Sequence, residues 1–233
     1  MAEIQVYPHE EVLCDVHMLR VINHLDLEST GHVVQVVIPD NQYFLEHGNK
    51  IPLELAPGEP WIKLITNKSV PISIHFEIAR KVVEQTESIF ADHGLLLLDR
   101  SCRNVYVDLS SGKPSVKHVD MEFVYDRSVG GLRVYDVETS KISCAKSELW
   151  TQINRECSFI SESVLQALDV HGYRSSEYFS IFEFREKWAK GAQKKHSFED
   201  LTLDLNRLEK ILGVSETSWI KNCCLLNYTK LYK

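Results

Sequence analysis

The chain has 233 residues, of which 44% are hydrophobic and 25% charged, with a net charge of −7. That composition describes a globular protein able to bury a core, and it excludes a general nucleic-acid binder, which needs clustered Lys and Arg against phosphate. No stretch reaches the ~18 consecutive apolar residues of a membrane span, and the acidic start MAEIQVYPHEE lacks the apolar core of a signal peptide.

In chain order, residues 9–25 read as a helix, with Val12, Val16, Leu19 and Ile22 or Asn23 on one apolar face. Residues 33–38 (VVQVVI) are β-branched and read as a buried strand ended by the turn Pro39-Asp40-Asn41; 42–46 and 51–56 read as further strands. Together they predict a small antiparallel sheet packed on the first helix. Residues 72–92 form a second amphipathic helix, carrying Ile74, Ile78, Val82 and Ile89 on one side, with Gly94 as its stop. Leu95 to Leu98 is a short buried strand, and the turn Ser110-Ser111-Gly112-Lys113-Pro114 joins two strands into a hairpin. Residues 146–170, 176–190 and 198–212 read as helices, the last with Leu201, Leu205, Leu208, Ile211 and Leu212 as its apolar positions. No repeat, low-complexity segment or linker divides the chain.

The chemistry concentrates between Ala91 and Glu122, in ADHGLLLLDRSCRNVYVDLSSGKPSVKHVDME. Asp99 is followed five positions later by Asn104, and one hairpin later by Asp120. Two carboxylates and an amide converging at strand ends form an oxygen ligand set suited to a hard divalent cation such as Mg²⁺, which such sites share with substrate phosphates. Read without that context, Asp99 suits a turn cap or a partner of Arg100 or Arg103, Asn104 a loop brace and Asp120 a hairpin terminus.

The order Asp99, Asn104, Asp120 resembles the catalytic loop and metal-binding Asp of the protein-kinase-like family. The likeness extends over roughly residues 10–125. Ile74 to Asp92 is similar to the helix before the catalytic loop. Pro52-Leu53-Glu54-Leu55-Ala56-Pro57-Gly58 looks like the fifth strand and hinge, and Val12 to Leu25 with the strand after it like the regulatory helix and fourth strand, with Asp15 in the place of the helix glutamate. The resemblance implies an α+β kinase-like fold with a reduced N-lobe sheet and a mostly helical C-lobe. It would be a single domain, with 1–58 as N-lobe remnant and hinge and 59–233 as C-lobe. It implies Asp99 as the catalytic residue, Asn104 and Asp120 as metal ligands, and Leu53, Glu54, Leu55 and Ala56 as the backbone that would hold the adenine of ATP.

The departures are as specific. No Gly-rich loop or phosphate-binding Lys precedes the first helix, a truncation that a missing N-terminal segment would also explain. Leu97-Leu98-Asp99 replaces H-R-D, Ser101 stands where Lys is usual, and Asp120-Met121-Glu122 replaces D-F-G. A pseudokinase or partner-dependent kinase acting through protein–protein interaction follows, its reduced N-lobe covered by another protein or by a second copy. The alternative is an active, atypical phosphotransferase using Mg²⁺ and ATP on a protein or a small molecule, akin to aminoglycoside kinases.

Other residues carry less. Cys14, Cys102, Cys144, Cys157, Cys223 and Cys224 form no C-x-x-C pair, which suggests a reducing, cytoplasmic setting. Cys102 reads as a structural thiol, Glu122 as a solvated carboxylate and Asp15 as exposed. The basic run 187–196 reads as a solvated loop, the ten histidines show no zinc spacing, and Trp61, Trp150, Trp188 and Trp219 as packing residues.

Overall fold

The computed structural model describes residues 2–5, 10–35, 50–98, 100–136, 138–139, 141–182 and 197–214. The protein is α+β, and every pair of strands among the described residues is antiparallel, with one isolated parallel bridge between Val33 and His118. Its strands are β1 (Ala2–Gln5), β2 (Lys50–Leu53), β3 (Glu59–Pro60), β4 (Leu95–Leu98), β5 (Val105–Asp108), β6 (Ser115–His118), β7 (Phe123–Asp126), β8 (Gly131–Asp136) and β9 (Lys141–Lys146). Its helices are α1 (Glu10–Glu28), α2 (Trp61–Thr66), α3 (Ile72–His93), α4 (Leu149–Val170) and α5 (Phe198–Leu212).

The sheets are β1-β2, β3-β5-β6 and β4-β7-β8-β9. The first differs from the expected one: β2 pairs with Ala2–Gln5, a segment too short and polar to read as a strand. Residues 51–53 are extended as expected, but 54–56 are not, and of residues 33–35, the described part of the expected 33–38 strand, Val33 alone makes a bridge, to His118. Residues 36–49, with the expected 42–46 strand, lie outside the described residues, as do Pro39-Asp40-Asn41, the 183–196 segment including Trp188, and 215–233 with Trp219 and the vicinal cysteines. Two short 3-10 turns, Ser175–Glu177 and Phe179–Ile181, stand where a helix over 176–190 was expected to begin.

Why these residues adopt these elements is clearest at β4. All four leucines are buried, but they serve two cores. Leu96 and Leu98 enter the main core with α3 residues Ile74, Phe76, Ile78 and Val82 and the α4 face Ile160, Val164 and Leu168. Leu95 and Leu97 point the other way, into a cluster with Leu27, Ile89, Met121 and Val124. The period-two alternation of a strand covered on both faces requires this run. On α3 the predicted stripe is fully buried, and Gly94 ends the helix with φ 71°, its N–H donating to Phe90 O at 3.0 Å.

Helix α5 matches its predicted span. Ser197 caps it through a reciprocal pair with Asp200, and Leu201, Leu205 and Leu208 are buried, while Ile211 faces solvent. Arg80 on α3 clamps this helix through Glu209 at 2.8 Å.

One glycine is dictated by close approach. Gly58 has φ 81°, and a Cβ there would sit 2.0 Å from Val107 O, because the chain enters β3 close against β5, its antiparallel neighbour. Gly58→Ala is expected to destabilise the fold by about 2–3 kcal/mol or more, through left-handed strain added to a backbone clash. Urea unfolding checks it; an unchanged midpoint would show that this close approach relaxes freely.

Candidate functional site

The loop after β4 is held from several sides. Cys102 O accepts from Ile62 N–H at 2.9 Å, Ser101 O from Asn104 N–H at 2.9 Å, and Asn104 O from Val119 N–H at 3.0 Å. Beneath it, Arg100 donates from Nε to Glu156 Oε2 of α4 at 2.7 Å and from Nη2 to Thr86 Oγ1 of α3 at 2.8 Å. All three side chains are buried. His118 lies against the same guanidinium and pairs through Nε2 with Gln85 at 2.9 Å; its burial and the neighbouring Arg100 charge push its pKa well below the usual imidazole range. Asp99 itself, the expected catalytic residue, lies outside the described residues.

The two expected metal ligands do come together. The β5–β6 hairpin returns the chain so that Asn104 Nδ2 donates to Asp120 Oδ2 at 3.4 Å, a long bond. Asp120 has φ 64°, the one described non-glycine residue in the left-handed region. Such a backbone costs an aspartate about 1–3 kcal/mol and persists only where its surroundings over-determine it.

Those surroundings are a polar stripe on α1. Arg20 Nε lies 2.8 Å from Asp120 Oδ1, at ion-pair distance though not aligned as a hydrogen bond, and Arg20 Nη2 donates to Glu122 Oε2 at 2.5 Å. Three residues on, Asn23 Nδ2 donates to Met121 O at 2.8 Å. His24 donates from Nδ1 to Val34 O at 3.0 Å, which leaves Nε2 with its lone pair to accept from Met121 N–H at 3.4 Å. Burial lowers the His24 pKa to about 4, with Arg20 adding repulsion, so the ring is neutral in this role. Arg133 of β8 supports the stripe from behind, donating to Asn23 Oδ1 at 3.2 Å and pairing with Asp26 and Asp126.

The whole Asp120-Met121-Glu122 segment is therefore gripped by α1. Glu122 is not a free solvated carboxylate; it shares a guanidinium with Asp120. The buried face of α1 carries Leu19, Arg20, Asn23, His24 and Leu27, whereas Ile22 is half-buried. Asn23 was one of the two candidates for the inward position, and the structure selects it over Ile22; Arg20 and His24 carried no such signal, because polar residues on a helix are assigned to solvent. The i, i+3, i+4 spacing of the three in line with Leu27 was what the sequence offered instead.

No protein-family model and no curated protein matches this sequence. The remaining expected positions stand as follows. Leu53 ends β2; Glu54 is exposed, with its N–H already donating to Gln35 O at 2.8 Å; Leu55 is 70% exposed; Ala56 is buried beside Val34. Of the hinge donors, the Glu54 N–H is thus engaged within the chain. Cys102 is half-buried, and desolvation raises its pKa, which keeps it a thiol and argues against a nucleophile. Trp61 is fully buried and donates to His75 Nδ1 at 3.1 Å, a packing role as expected. No described helix is long and apolar enough to cross a membrane.

Proposed function

We infer that the chain is a kinase-like scaffold that acts by binding another protein, with Asp120 held by a guanidinium rather than by Mg²⁺. One observation carries this reading: Arg20 stands against both Asp120 and Glu122, so one buried cation already offsets the two carboxylates nearest the candidate metal position. The kinase-like part is supported by the order of elements. A buried strand leads into the 100–104 loop, a hairpin follows, then Asp120, and β7 returns to pair with the strand that began the series. The helix that grips Asp120 is the one that resembles the kinase regulatory helix, and its cation goes directly to the candidate metal carboxylate. A divalent ion at Asp120 would have to share its carboxylate with a guanidinium whose side chain is only 10% exposed, and the two positive charges would repel at close range.

The second reading, an active phosphotransferase using Mg²⁺-ATP with Asp99, Asn104 and Asp120, draws on the Asn104–Asp120 contact and on the left-handed backbone at Asp120. Thermal unfolding separates the two. With ATP and Mg²⁺ or Mn²⁺, the wild-type chain is expected to show no shift in midpoint, whereas Arg20→Gln, which frees both carboxylates, should gain a metal-dependent one. A metal-dependent rise in the wild type that disappears in Asp120→Ala would overturn the scaffold reading, since a ligand confined to the folded state stabilises it in proportion to its saturation.

A further inference from the structure

Between the β4–β7–β8 face and α4 lies a cleft of about 400 Å³, within the range of small-molecule sites. Its apolar walls are Leu98, Phe123, Leu132 and Phe159. Phe123 is 39% exposed there, an aromatic ring left open to solvent on a structure that buries most of its large side chains. Among the described lining residues the charges do not cancel. Glu156 is already engaged by Arg100 in the buried pair at its inner side. Arg155, exposed one residue earlier on α4, has no ion-pair partner among the described residues and meets only Gln152 Oε1, at 3.5 Å. The described lining therefore holds two guanidinium groups against one carboxylate, in a chain whose net charge is −7.

A guanidinium with no ion-pair partner among the described residues, beside two aromatic walls, is suited to a ligand with a flat apolar body and one anionic group. The body would displace water from the phenyl rings, and the anion would take the fork of Arg155. A cation is disfavoured by Arg155, and a neutral aromatic would leave that charge as it is. We propose that the cleft between the β4–β7–β8 face and α4 is a binding site for a small aromatic anion, a carboxylate, sulfonate or phosphate ester, anchored by Arg155 and stacked against Phe123. The site stands whether or not the chain transfers phosphoryl groups, since neither Asp120 nor Arg20 contributes to it.

Naphthalene-2-sulfonate is the probe, titrated calorimetrically into the full chain, with uncharged 2-naphthalenemethanol as comparator. Saturable one-to-one binding is expected, weaker by on the order of tenfold for the alcohol and in Arg155→Gln, the scale of one charge-assisted hydrogen bond. Phe123→Ala should weaken it similarly. Arg174→Gln, at a side chain 84% exposed and outside the cleft, should leave the affinity unchanged. Both cleft substitutions are at partly exposed side chains, so the variants should retain the wild-type unfolding midpoint. No saturable binding, or equal affinity in the wild type, Arg155→Gln and Phe123→Ala, would overturn the proposal.

Discussion

Replacing Arg100 by methionine is expected to cost the fold about 3–5 kcal/mol, the range for removing one partner of a buried ion pair. The guanidinium satisfies Glu156 from two nitrogens, at 2.7 Å and 2.5 Å, and also reaches Thr86. Both charged side chains are almost wholly out of solvent, at 1% and 2% exposure. Without Arg100 the Glu156 carboxylate stays buried in the core between α3 and α4, and it must either ionise without that guanidinium or take up a proton. Most of the loss therefore belongs to the stranded acid rather than to the missing contact. The double variant Arg100→Met/Glu156→Met should recover most of the stability, because the same volume is then filled without a charge. Urea unfolding of the two single variants and the double one reads this directly. If the double variant is as unstable as Arg100→Met, the cost lies in packing or in the Thr86 and His118 contacts instead.

The second large effect is acid lability. His24, His75 and His118 are buried, and desolvation, the leading cause in each, lowers their pKa values: to about 4 for His24, about 3 for His75, and well below the ordinary value for His118. Each is neutral when folded, and in the unfolded chain each takes a proton near pH 6.5. The unfolded state thus binds more protons below that pH, so stability is full above it and falls as pH drops toward the folded-state values. Each histidine weakens folding by about tenfold per pH unit in that window, and three together by about a thousandfold. A chain with about 5–10 kcal/mol of stability, the lower part of the ordinary range, should then unfold between about pH 5.5 and pH 4. The half-exposed His32 and His171, also lowered by desolvation, add less. The measurement is unfolding free energy in urea at pH 7, 6 and 5, where the slope counts the protons. Stability that stays flat from pH 7 to pH 5 would mean that these rings are solvated or paired in solution.

Histidine also shows how packing rather than composition sets chemistry. Ten histidines on a sequence suggest metal sites. The structure gives His24 a backbone carbonyl and a backbone N–H, gives His75 the Trp61 indole, and gives His118 a glutamine and an arginine. A ring nitrogen already used as an acceptor or donor in this way is not a free ligand.

By itself the sequence determined those elements whose formation depends on local periodicity and local stops. Helices α1, α3, α4 and α5, the β5–β6 hairpin and the buried β4 all lie close to where apolar spacing, Gly94 and the Ser110–Pro114 turn put them, because each signal acts within a few residues. It also brought Asn104 and Asp120 into view as a pair, since a tight hairpin carries its two ends back to one place. Tertiary structure alone decided what faces that pair. Arg20 is 100 positions from Asp120 in the chain, and Arg100 is 56 from Glu156. Neither pairing has a local signature, and a buried cation on an otherwise ordinary helix becomes intelligible only once its carboxylate is known to lie opposite. The same holds for β1 against β2 and for β8 and β9, which extend the β4–β7 sheet. Edges and ion pairs are satisfied by whichever partner the fold delivers, and the delivery depends on long-range packing rather than on any stretch of sequence.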